Sequence, residues 1–146
     1  MSKILVLILF MLIGIASHAQ KAEVFSTSSG AIRGYDPVAY FKVGKPVMGD
    51  PKISFHWHDA DWYFSNQENL NSFKTSPEKY APQFGGYCAY GVSDNHKAPT
   101  DPDAWTIVDD KLYLNYNLNV KTLWSKDRAS LIQKANDLWP AVKIME

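Results

Sequence analysis

The chain has 146 residues, of which 46% are hydrophobic and 21% charged, with 15 Lys and Arg balanced by 15 Asp and Glu. That length suits one domain with a real core, and an aromatic content of 14% argues against disorder. Zero net charge disfavours a nucleic-acid binder, which needs a basic face.

Lys3 precedes an apolar run from Ile4 to Ile15, and Ser17-His18-Ala19 follows with small residues at both ends. This layout predicts a secretory signal peptide over residues 1–19, cut before Gln20. The run falls short of the roughly 20 residues that span a bilayer, so no stable membrane span is expected after cleavage. The expected destination is periplasmic or secreted. Export leads to an oxidising compartment, yet Cys88 is the single cysteine, so no internal disulfide can form.

Residues 20–33 are polar and end in Ser26-Thr27-Ser28-Ser29-Gly30, which reads as a leader or linker before a domain at 34–146. Gly34-Tyr35-Asp36-Pro37 is a turn, with the Asp36 carboxylate suited to cap it. Ile53, Phe55 and Trp57 alternate with polar residues and predict a strand. His58 to Asp61 reverses the chain, and Trp62-Tyr63-Phe64 returns as the second arm of a hairpin. Ser65 and Glu68 have capping-box spacing for a helix over about 66–75, carrying Leu70 and Phe73 on one face. Pro77 ends that helix or starts another turn. Gly85-Gly86 forms a bend that lets backbone approach closely, and 97–103 is a loop. A second hairpin is expected from 104–108 and 111–116 through Asp109-Asp110. Leu118 to Trp124 is a short helix candidate. The last helix is expected over 126–138, capped by Ser125, with Leu131, Ala135 and Leu138 buried. The order predicts an α+β fold: a small antiparallel sheet built from hairpins, packed against a few helices.

Several segments together resemble the YHS domain family, in particular its secreted or periplasmic single-domain branch. They are GYDPVAYF at 34–41, WYFS at 62–65, FKTSPEKY at 73–80, FGGYCAY at 84–90, Asp101-Pro102 with Trp105, and KLYLNY at 111–116. The resemblance spans residues 34–139. The wider family includes small modules attached to heavy-metal-transport ATPases and to multicomponent hydroxylases. Their D-P-V-C-G, Y-F-C-S and following helical cysteine imply soft-metal binding through thiolates. This chain departs at all three places, with Ala39, Ser65 and Asn69 where the cysteines would stand. The resemblance therefore implies the fold without the thiolate site.

Among the remaining candidates, His56 and His58 form an H-x-H pair that a strand would point to one side. With Cys88 they make a candidate set for a transition metal such as copper or zinc. Cys88, His96, Asp59 and Asp61 are the candidates for the third ligand; the alternative is ordinary surface histidines and a buried inert thiol. No phosphate loop, dinucleotide fingerprint, nucleophile elbow, zincin motif or C-x-x-C is present. Three readings stay open. The first is a non-enzymatic binding module for a small ligand or metal. The second is a small enzyme using an aromatic pocket with Cys88 or a histidine. The third is a structural or interaction protein, including a homo-oligomer.

Overall fold

The computed structural model describes residues 22–146; the expected signal peptide and its cleavage point lie outside them. Among the described residues the fold is α+β, with six α-helices and three separate two-stranded antiparallel ladders instead of one continuous sheet. In chain order the elements are β1 (Ser26–Thr27), β2 (Gly30–Ala31), α1 (Ala39–Lys42), β3 (Asp50–Trp57), β4 (Ala60–Phe64), α2 (Gln67–Thr75) and α3 (Pro77–Tyr80). Then come α4 (Ala89–Ser93), β5 (Trp105–Val108), β6 (Lys111–Leu114), α5 (Leu118–Ser125) and α6 (Arg128–Val142). No helix among the described residues is long and apolar enough to cross a membrane.

The segment expected to be a linker is part of the body. Val24, Ala31 and Ile32 are buried in the core, and β1 pairs with β2. Ser28 and Ser29 form the turn between the two strands, while Val24, Ala31 and Ile32 on either side of the Ser/Thr stretch point inward.

Both expected hairpins form. Trp57 pairs with Ala60, leaving His58 (φ 50°) and Asp59 (φ 56°) as a two-residue loop. Val108 pairs with Lys111, leaving Asp109 (φ 50°) and Asp110 (φ 60°). Positive φ at both loop residues matches the right-handed twist of the flanking strands, and Asp and His enter that region more readily than most residues.

Two apolar clusters result. The first gathers Val38, Tyr40, Trp62, Phe64, Phe73 and their neighbours, with Ile53, Phe55 and Trp57 of β3 packed on it. Phe73 is its centre, with the rings of Trp62, Phe64, Trp57 and Phe55 at 5.1, 5.2, 5.6 and 6.2 Å. Each fully buried ring among them contributes about 1.5–3 kcal/mol by leaving water. The second cluster gathers Phe84, Tyr87, Val92, Tyr113, Trp124, Ala135 and Val142, covered by Leu131, Leu138 and Trp139 of α6.

Three local expectations change. The cap of α2 is Asn66, whose side chain accepts from Asn69 N at 2.8 Å. The Ser65 hydroxyl is diverted to Asp36, at 2.7 Å. The cap residue before α6 is Asp127, which makes no side-chain cap bond, while Ser125 closes α5 by donating to the Lys121 carbonyl at 2.7 Å. Helix α6 also runs past Pro140 to Val142. Proline removes one N–H, but Val142 is fully buried and Lys143 N still bonds the Trp139 carbonyl at 2.8 Å. Burial of Val142 offsets the lost bond.

Candidate functional site

The two clusters meet at a cleft of 200 Å³. Trp57 and Trp62 come from the first hairpin and Trp139 from α6, while Glu23, His58 and Glu78 add polar groups from three separate segments. Trp57 stands here because β3 alternation turns it toward the core. Trp62 forms the inner wall: it is buried, and its indole N–H donates to the Trp57 carbonyl at 3.0 Å. His58 follows Trp57 and lies against its ring, with centroids 3.9 Å apart. Its Nδ1 is 4.0 Å from a Glu23 carboxylate oxygen, and both side chains are substantially exposed, so this contact adds little stability.

Glu23 reaches the cleft because of Gly85. That glycine has φ +63°, and a Cβ built on it would lie 1.8 Å from the Glu23 carbonyl oxygen. Phe25 N then donates to the Gly85 carbonyl at 2.8 Å, fastening the N-terminal segment against the bend. The close backbone approach expected at Gly85-Gly86 is thus made by Glu23.

The expected metal set does not come together. Strand β3 ends at Trp57, and His58 already occupies the loop with positive φ. The period-2 rule that would align its ring with His56 stops there. His56 instead faces Asp61 across the hairpin, Nδ1 to Oδ1 2.8 Å, with both side chains exposed. His96 is exposed and bonds locally to the Asp94 carbonyl at 3.2 Å. Cys88 is only 2% exposed. Its Sγ accepts from Tyr116 N at 3.2 Å and donates to Asn115 Oδ1 at 3.5 Å. Burial pushes its thiol pKa up, against smaller opposing hydrogen bonds from the Gly91, Tyr116 and Tyr90 backbone. A reactive thiol needs the opposite shift. Among the described residues, no three His, Cys, Asp or Glu side chains form a group able to hold a metal ion.

The three positions where the resemblance would place thiolates do converge, on a carboxylate. Asp36 is fully buried. Its Oδ1 accepts from Val38 N at 2.8 Å and Ala39 N at 3.3 Å. Its Oδ2 accepts from Ser65 N at 2.8 Å, Ser65 Oγ at 2.7 Å and Asn69 Nδ2 at 2.8 Å. This donor set does not fit a soft metal, which prefers sulfur. It fits a hydrogen-bonded anchor joining the α1 turn, the end of β4 and the start of α2.

A larger groove of 460 Å³ is lined by Arg33, Thr100, Asp101 and Tyr116, among others. It offers less chemistry, because Arg33 Nε is already committed to the Thr100 carbonyl at 3.0 Å and its guanidinium lies over Phe25.

Compared with family models, curated protein sequences and solved structures, the chain matches none.

Sequence reasoning reached Trp57, Trp62 and His58 as parts of one hairpin, but it missed Glu23, Glu78 and Trp139 as their companions. The Gly85-Gly86 bend was the signal that some backbone must pack closely there.

Proposed function

We propose that the chain is an exported, non-enzymatic binding module on a YHS-like scaffold, holding a small ligand in the cleft between its two cores. The observation that carries this reading is the concentration of three indole rings beside two open carboxylates in one concavity. Binding sites are mostly apolar and aromatic, with a few polar groups fixing orientation. What supports the scaffold is the meeting of Ala39, Ser65 and Asn69 around one buried carboxylate. The apolar run at Ile4–Ile15 and the Ser17-His18-Ala19 segment support export. An enzymatic role for Cys88 is disfavoured by its burial and raised pKa.

The test is an NMR screen of a panel of small cationic, anionic and neutral organic compounds, read at the five tryptophan indoles. The expected result is that one class shifts the Trp57 and Trp139 signals, and that Trp139→Ala weakens the binding. Trp124 is fully buried in the second core and away from the cleft lining, so it serves as the internal control. A panel that moves Trp57 and Trp139 no more than Trp124 overturns the reading.

A further inference from the structure

We propose that the cleft selects a small organic cation, a methylated or quaternary ammonium group; this rests on the small-ligand reading above and names its ligand class. Three features point to it. Tryptophan presents the most electron-rich face of the natural side chains and attracts cations lying over it; the half-buried Trp57 and Trp139 line this cleft, with the buried Trp62 as its inner wall. Glu23 and Glu78 add two carboxylates, while no lysine or arginine lines it. An anion entering there would meet two carboxylates, with His58 the one lining side chain able to carry a positive charge.

The carboxylates are also open to a guest. Both glutamates are exposed, and the His58 contact of Glu23 is long, at 4.0 Å. A bare metal ion would require several converging donors, and the described residues offer no such group. A methylated ammonium requires none. Its charge is spread over its methyl groups, which pack against rings, and nearby carboxylates stabilise it through space without direct ligation. The volume of 200 Å³ accommodates a compact headgroup.

The experiment compares choline with 3,3-dimethyl-1-butanol, a neutral compound of nearly the same shape, by calorimetry and tryptophan fluorescence on the purified chain. The expected result is that choline binds at least about tenfold more tightly, and that the preference falls as salt is raised. The double variant Glu23→Gln with Glu78→Gln should abolish most of that preference. Both positions are exposed, so folding should survive, and an unchanged far-UV circular dichroism spectrum checks it.

Equal binding of the two compounds overturns the cation proposal while leaving the small-ligand reading intact. Absence of choline binding also overturns it, and the indole screen then decides the broader reading separately. Phosphatidylcholine vesicles distinguish the source of the group. Sedimentation of the chain with vesicles supports a lipid headgroup, and retention in solution with choline bound supports a free cation.

Discussion

Asp36 gathers five hydrogen bonds on two oxygens inside the protein. Every donor around it points inward, so the site requires a group that only accepts. Asn at this position keeps the shape but turns one acceptor into a donor facing Ser65 N and Asn69 Nδ2, or else the backbone of Val38 and Ala39. Hydrogen bonds to charged groups are worth about 1.5–3 kcal/mol each, and an orphaned buried donor adds its own cost. Asp36→Asn should therefore lower unfolding stability by roughly 3 kcal/mol, read as a reduced urea midpoint at unchanged slope. A loss below about 0.5 kcal/mol, the usual range for surface changes, would show that the carboxylate is not an anchor.

At the scale of elements, the N-terminal segment is held by a few specific contacts. Gly85 leaves space for the Glu23 carbonyl, Phe25 N bonds the Gly85 carbonyl, and Tyr87 Oη donates to the Ala22 carbonyl at 2.6 Å. Gly85→Ala places a methyl where the Glu23 backbone now runs, at a φ that L-residues rarely adopt. The expected outcome is release of residues 22–25, seen as faster amide exchange at Phe25 and weaker ligand binding in the cleft. Unchanged protection at Phe25 would refute the role given to this glycine.

Both hairpins were legible in the sequence because their alternation and turn residues agree. So was the buried stripe of α6, whose Ala135 is fully buried with Leu131 and Leu138 against it. The N-terminal segment was not legible, because its composition is that of a loop and its burial comes from partners far along the chain, in β4 and at the Gly85 bend. The cleft was half legible for the same reason. Its hairpin residues are neighbours in sequence, whereas Glu23, Glu78 and Trp139 meet them only through tertiary packing. His58 shows the limit of periodicity: the pattern was right for β3 and ended one residue before the position that mattered.

At the scale of the whole molecule, burial of ionisable aromatic and thiol groups shapes the response to pH. Cys88, Tyr40, Tyr87 and Tyr113 all have pKa values raised chiefly by desolvation, from ordinary values of 9.0 for the thiol and 10.0 for the phenols. The native chain then holds these protons more tightly than the unfolded chain. Stability from this source is complete below the ordinary values and falls as pH rises through and above them. Thermal midpoints measured from pH 8 to 11 should decline from about pH 9 upward, and Cys88→Ala should remove the earliest part of the slope. A flat profile across that range would contradict the burial of these groups.

The β5–β6 hairpin sits between the two apolar clusters. Leu112 and Leu114 face the first, and Tyr113, between them, faces the second. Moving β6 by one position would exchange these loads, sending leucines toward Trp124 and a phenol among the rings around Phe73. The aspartate pair at 109 and 110 thus does more than reverse the chain: by setting where β6 begins, two exposed acidic residues determine what each interior contains.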